Sequence, residues 1–298
     1  MEGPVNELPL PKESHLKPFP FVAPHRVVAW GVWIAIFLVA YNFFASSRGE
    51  EAAREALGGP RFFIPLLVTV FLTLFAFFYW RLRRWAEAYH QGVSFFSAGD
   101  EQESSRRFEE AARRATQGAQ RAVSVAMMGQ CQLAMGDTGR ALELFGSAER
   151  SGKLRSSVPA MHRWMPGLIS MARFTQGDLA SARAWLAEGR KRNGDLPPIY
   201  ALLPEVALLC REGNPAAAVS TLDARAGEAD ALVGRDARRL KLLRAFALDA
   251  LDPASHATAI DAALASLQPV RPGDFEFLSA RWPELQAFLE RRGLSHAA

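Results

Sequence analysis

Four short turns recur between residues 99 and 214 of the chain. Each pairs a glycine with an aspartate or asparagine and separates two apolar, helix-like runs: Gly99-Asp100, Gly136-Asp137, Gly177-Asp178 and Gly213-Asn214. The glycines are 37, 41 and 36 residues apart. A period of this size is typical of arrays of helical hairpins. The sequence therefore predicts an all-α solenoid, with an irregular helical bundle as the alternative.

Small and bulky residues flank these turns in a fixed order. Gly129 precedes the second turn, and Ala141, Phe145 and Ala148 follow it. The small residues allow paired helices to approach closely, and the bulky residue fills the gap between them. This pattern resembles the tetratricopeptide repeat family, over residues 86–267.

The resemblance is uneven along the chain. Ser104 replaces a usual alanine in the first repeat, and a fifth unit lacks the glycine turn. The third and fourth repeats carry prolines in their first helices and unusual residues at the small positions: Pro166, Ser170, Pro204 and Val206. After the repeats, residues 268–298 predict one amphipathic helix that caps the open end of the array.

Two charge-free apolar blocks precede the repeats, at residues 27–45 and 62–80. Each would form a helix of about 28 Å, close to the thickness of a bilayer core. Trp30 and Trp80 are placed near block ends, as at a membrane interface. The blocks therefore predict two transmembrane helices. A pair of buried core helices and, for the first block, a cleaved signal peptide are the alternatives.

Basic residues orient this predicted hairpin. Six basic residues flank the two blocks on the outside: Lys12, Lys17, Arg26, Arg81, Arg83 and Arg84. The short external loop that is predicted between the blocks, at residues 46–61, contains only three. The bias places both ends in the cytoplasm, including a proline-rich, largely disordered tail at residues 1–26. A preference for Arg over Lys suggests a bacterial genome, so the predicted location is the bacterial inner membrane, multi-pass, with a cytoplasmic C-terminal domain. The opposite orientation stays open.

No Gly or Pro occurs between Pro65 and Gly92. The second apolar block is therefore expected to continue as one unbroken helix into the first repeat.

The resemblance also implies a concave groove lined by the first helix of each repeat. The predicted partner-binding residues are aromatic and aliphatic, so an amphipathic helix or an apolar segment of a protein partner would suit them. Some family members bind a partner's C-terminal carboxylate through a basic clamp. The matching positions here are Tyr89, Val93 and Trp164, so a partner of that class is not expected. Two alternatives leave no vacant groove: the repeats pack these residues together, or the C-terminal helix fills the groove. The predicted groove residues are Tyr89, Phe96, Leu133, Trp164, Met171, Phe174, Tyr200 and Leu203.

Arginines cluster in the second helices, for example at 106–114, 190–192 and 238–244. Solvated helix faces explain them, with contact to anionic lipid headgroups as the alternative. The sequence contains no phosphate-binding glycine loop, no spacing typical of metal ligands and no hydrolase or kinase signature. We therefore predict no catalytic residue, no metal, no cofactor and no nucleic-acid partner.

These observations predict a membrane-anchored scaffold that recruits a protein partner to the cytoplasmic face. The lipid bilayer, and another integral membrane protein, are further predicted partners. One alternative is a structural subunit that is permanently buried in a larger membrane complex, and another is an enzyme whose site has no recognised motif.

Overall fold

The computed structural model describes residues 59–194, 201–232, 234–270 and 274–294. Over these residues the fold is all-helical and contains no strand, which confirms the predicted all-α class. The helices are α1 Gly59–Ala98, α2 Glu101–Arg114, α3 Gly118–Ala134, α4 Thr138–Arg150, α5 Lys153–Ser157, α6 Pro159–Thr175, α7 Leu179–Asn193, α8 Leu202–Arg211, α9 Pro215–Ala224, α10 Ala226–Ala231, α11 Gly234–Leu251, α12 Ala257–Ala265, α13 Glu276–Ser279 and α14 Pro283–Arg291.

Each Gly-Asp pair ends one helix and begins the next. At the second turn Gly136 has φ +86°, and the amide of Asp137 donates to the carbonyl of Gln132 at 2.9 Å. This bond satisfies a carbonyl at the end of α3 that no helical amide reaches. The carboxylate of Asp137 then accepts from the amide of Arg140 at 2.9 Å and caps α4. Gly99 and Gly177 have the same positive φ, and Asp100 and Asp178 cap α2 and α7 in the same way.

The cap at Asp178 predicts a measurable loss of stability. Asp178→Ala removes the acceptor for the Ser181 amide at 3.1 Å, so we expect about 1 kcal/mol less stability in urea unfolding at pH 7. The hydrogen bonds from Ser181 lower the pKa of Asp178 in the folded chain. The stability that depends on this pKa is present above the unfolded pKa of about 3.9 and is lost as pH falls through the folded pKa. Asp178→Asn keeps an acceptor without the charge, so it should lose less stability and not show this pH dependence. Equal losses in the two variants would contradict the cap.

Close helix packing depends on two glycines. A Cβ on Gly92 would lie 2.8 Å from the Phe108 ring, and one on Gly129 would lie 2.6 Å from the Phe145 ring. Both rings are fully buried. The phenylalanine of the second helix therefore fills the space that the missing side chain leaves on the first helix.

Two serines that depart from the repeat pattern bond across helix pairs. The hydroxyl of Ser104 donates to the carbonyl of Gly92 at 2.8 Å, and that of Ser170 donates to the carbonyl of Ala182 at 2.8 Å. Both side chains are fully buried. Serine is therefore tolerated at these positions because its hydroxyl finds a partner on the facing helix.

The second apolar block is part of α1, which runs unbroken from Gly59 to Ala98. This confirms the predicted continuous helix through residues 81–90. The predicted residues Trp80, Arg81, Arg83 and Arg84 follow one another along it. The Arg84 guanidinium lies 4.9 Å from the Trp80 ring centroid, and Arg83 pairs with Glu87.

Within the part of the chain that the structure describes, no helix is long and apolar enough to cross a membrane. The predicted transmembrane hairpin is therefore wrong, and so is the multi-pass inner-membrane location with a cytoplasmic C-terminal domain. The interface role assigned to residues 80–84 depended on that hairpin and is not retained.

Several predicted segments lie outside the described residues. These are the tail at 1–26, the first block at 27–45 with Trp30, most of the loop at 46–61, and Tyr200.

The C-terminal segment forms two short helices where one was predicted. α13 ends at Ser279, and α14 begins at Pro283. Proline has no amide hydrogen and disfavours a helical residue before it, so it starts α14 and cannot continue α13. Both helices belong to the same hydrophobic core as the repeats.

Candidate functional site

Four predicted groove residues line one cavity on the inner side of the array. Phe96, Leu133, Met171 and Leu203 come from α1, α3, α6 and α8, the first helices of the four predicted repeats. The periodic turns place these helices side by side, so equivalent positions meet although they lie 32 to 38 residues apart in sequence.

The other predicted groove residues lie elsewhere. Tyr89 stacks on Trp85 at 5.4 Å and packs inside the first helix pair. Trp164 lies on α6 with 38% of its surface exposed and does not line the cavity. Phe174 is fully buried, because Trp282 from the C-terminal segment meets it edge-on at 5.6 Å. That part of the predicted groove is therefore covered from within the chain.

The opposite wall of the cavity comes from residues that the repeat pattern did not indicate. Leu232, the first turns of α11 and Phe277 face the four helices across the cavity, which has a volume of about 60 Å³. One water molecule needs about 10–15 Å³ of such a cavity, so there is room for about four to six water molecules. The polar lining residues are Gln130, Asp236 and Arg239.

Arg239 is the unusual side chain of this wall. It is only 7% exposed, and its guanidinium lies 4.6 Å from the ring centroid of Phe277. Its Nη1 donates to the Asp236 carboxylate at 3.1 Å. Its Nε and Nη2 are buried and have no hydrogen-bond partner among the described residues. An unsatisfied buried donor costs about 1–3 kcal/mol, and more when it is charged.

Burial lowers the pKa of Arg239, and this effect is larger than the opposing effect of its ion pair with Asp236. The single ion pair therefore does not replace the hydration that the guanidinium lost on burial.

Two neighbouring arginines have more partners, although Nε of Arg238 is also buried without a hydrogen-bond partner among the described residues. Arg238 donates to the carbonyl of Leu267 and to the carboxylate of Asp274, at 2.6 and 2.9 Å. Arg235 pairs with Glu101 and donates to the carbonyl of Gly99 at 3.3 Å. Arg239 is thus a buried member of a cluster that was interpreted as a solvated face, and for this residue that interpretation is wrong. The sequence signal for the burial of Arg239 was its spacing, since it shares one helical face with Leu242, Leu243 and Phe246.

The surface of α1 is a second candidate site. Apolar side chains on several sides of this helix are between 39% and 61% exposed, and we call them the α1 apolar surface. An exposed apolar patch of this kind is typical of an interaction site. Its members are Val68, Val70, Phe71, Leu72, Leu74, Phe75, Phe77, Tyr79, Trp80 and Leu82.

No group of three or more His, Cys, Asp and Glu side chains in the described ranges could hold a metal ion. The two cysteines are buried and not linked to each other.

Burial raises the pKa of Cys131 to about 11 and that of Cys210 to about 12. Since the thiolate is the reactive form, we expect both thiols of the folded chain to react with a disulfide reagent at pH 8 at least about 100-fold more slowly than in denaturant. Ser97→Cys adds an exposed thiol on α1 as a control, and it should react rapidly in the folded state. Rapid reaction of the native pair would contradict the described burial.

The chain matches no family model, no curated protein and no solved structure.

Proposed function

We propose that the chain is a helical-repeat scaffold that binds a protein partner through the cavity side of the array. The observation that carries this proposal is that Phe96, Leu133, Met171 and Leu203 line one apolar cavity across four consecutive predicted repeats. An apolar segment or an amphipathic helix of the partner would insert a side chain there. We also propose that the repeats are of the tetratricopeptide type. The pairs Gly92–Phe108 and Gly129–Phe145 support this, since each joins a small and a bulky residue across a helix pair. A membrane anchor is not part of the proposal.

Photo-crosslinking in cells tests this function. The crosslinking residue replaces Trp164, which is exposed, aromatic and on α6, one of the four helices that line the cavity. The control replaces Arg106 on α2, whose side chain is 70% exposed. We expect a second protein to be captured from position 164 and not from position 106. Capture only of the chain itself from position 164 would contradict the proposal.

The α1 apolar surface favours a second candidate function, that of a structural subunit in a larger protein assembly. Permanent burial would shield these side chains from water. A stoichiometric partner that stays bound through purification in high salt would support this function. Replacing Phe71 and Phe75 by serine should then release that partner, whereas the same changes should leave the crosslink from position 164 intact.

A further inference from the structure

One side of α1 carries an apolar stripe whose spacing is the same in both directions along the helix. Its members are three, four, four and three residues apart, centred on Phe75, and this spacing places them on a single helical face. All five are between 44% and 61% exposed, and we call them the Phe75 stripe: Val68, Phe71, Phe75, Tyr79 and Leu82. The rings of Phe71 and Phe75 stack with their centroids 6.5 Å apart, so the middle of the stripe is a continuous apolar surface.

A spacing of this symmetry suits pairing with a second copy of the same helix. In a two-fold interface the same surface of both chains meets itself, so that residue i contacts residue j and residue j contacts residue i. If two α1 helices pack antiparallel with the axis at Phe75, Phe71 of one chain faces Tyr79 of the other, and Val68 faces Leu82. Each apolar member of the stripe then meets an apolar member, and no charge is buried.

The charges that follow the stripe favour the antiparallel orientation. Arg81, Arg83, Arg84 and Glu87 carry three positive charges and one negative charge. In a parallel pair these two groups would lie side by side, about 8–10 Å apart as packed helices are. In the antiparallel pair they lie about 24 Å apart along the axis. Since charges are screened beyond about 8 Å at physiological salt, only the antiparallel pair avoids their repulsion.

The exposed area is sufficient for a dimer. Burying one whole aromatic side chain removes roughly 150–250 Å² from water, so the half-exposed rings of Phe71, Phe75 and Tyr79 leave about 350 Å² of each chain in water. Val68 and Leu82, with the exposed Leu72 at the edge of the stripe, raise this to about 600 Å². Two such surfaces bury about 1,200 Å² together, which is the lower end of the range for specific interfaces.

We propose that α1 is a self-association helix, through which two copies of the chain pair antiparallel with the Phe75 stripe at their interface. The repeats pack on α1 beyond the stripe, where Gly92 meets Phe108, so the pair places the two arrays at opposite ends of the interface. This inference rests on the second candidate function, that of a subunit in an assembly, and names the partner as a second copy. It does not depend on the cavity.

Sedimentation equilibrium of the full chain at micromolar concentration tests the pairing. We expect twice the 32.8 kDa mass of one chain. Phe75→Lys brings two like charges together at the axis, so it should raise the dissociation constant at least about thirtyfold, as the loss of a central interface residue does.

Phe77→Lys is the matched control, because Phe77 is 46% exposed and lies on the opposite side of α1. Its dimer should persist, and circular dichroism verifies that both variants fold. A monomeric unmodified chain, or equal effects of the two lysines, would overturn the proposal.

Cysteine pairs test the orientation. When Val68→Cys and Leu82→Cys chains are mixed, mild oxidation should link position 68 of one chain to position 82 of the other. The native Cys131 and Cys210 are buried and should not compete. Links only between like positions would show a parallel pair and would overturn the antiparallel arrangement.

Purification from cells separates this inference from the functions proposed above. If the chain is a monomer bound to a different protein, which serine at positions 71 and 75 releases, the inference fails and the second candidate function stands. If the chain is a dimer and position 164 captures no second protein, the inference stands and the cavity function fails. If Phe75→Lys separates the dimer and the crosslink from position 164 to a different protein persists, both stand.

Discussion

Trp282→Ala should lower the free energy of unfolding by about 3–5 kcal/mol, the usual range for removing a buried tryptophan. The side chain is only 2% exposed and contacts Phe174 and Phe246 edge-on, with ring centroids 5.6 and 5.2 Å away. Its loss leaves a cavity between the C-terminal segment and the third repeat, which the surrounding helices cannot fully close. Urea unfolding followed by circular dichroism measures the effect.

Trp80→Ala is the matched control, because Trp80 is 51% exposed on α1. Substitutions at exposed positions have small effects, so we expect a loss of at most about 1 kcal/mol. Similar losses in the two variants would show that Trp282 does not join the C-terminal segment to the repeats.

Gly129→Ala should destabilise the chain by about 1–3 kcal/mol, as is usual when a packed core is overfilled. The new Cβ would lie 2.6 Å from Cε1 of Phe145, and both positions are buried. Either the Phe145 ring or the α3–α4 pair must move. The change in the urea midpoint at constant slope measures this cost.

Gly139→Ala is the control that separates the cost of the contact with Phe145 from the gain in helix propensity when glycine is replaced by alanine. Gly139 also lies within a helix, but its new Cβ would meet nothing closer than Oδ1 of Asp137 at 3.8 Å. Alanine is the better helix former, so this variant should gain about 0.5–1 kcal/mol. A gain at both glycines would contradict the close packing of α3 and α4.

The sequence predicted those parts of the fold that depend on local chemistry. The Gly136-Asp137 turn was predictable because glycine adopts a positive φ and aspartate caps a helix, and both properties belong to neighbouring residues. The continuity of α1 was predictable because its central part contains no Gly or Pro. Leu133 and Met171 occupy equivalent positions of successive repeats. The side of the cavity that they line was therefore also predictable from the sequence.

The parts of the fold and of the cavity that were not predicted depend on contacts between residues that are far apart in sequence. Phe96 and Phe277 line the same cavity, but no period relates a residue of the first repeat to one in the C-terminal segment. The burial of Arg239 follows from the packing of α11 across the array, and counting it among surface arginines hid its place on an apolar face. The membrane prediction used the length of the charge-free blocks, the aromatic residues near their ends and the basic flanks, and these features do not tell a spanning helix from an apolar helix with another role.

The bond between Arg235 and the Gly99-Asp100 turn joins two ends of the array, 136 residues apart. In an open solenoid each repeat contacts only its neighbours, so the array can flex and can gain units by insertion. Here Arg235, in the first turn of α11, also pairs with Glu101 at the start of α2. A hairpin inserted between α2 and α11 would therefore have to break these contacts, so the number of hairpins between them is constrained.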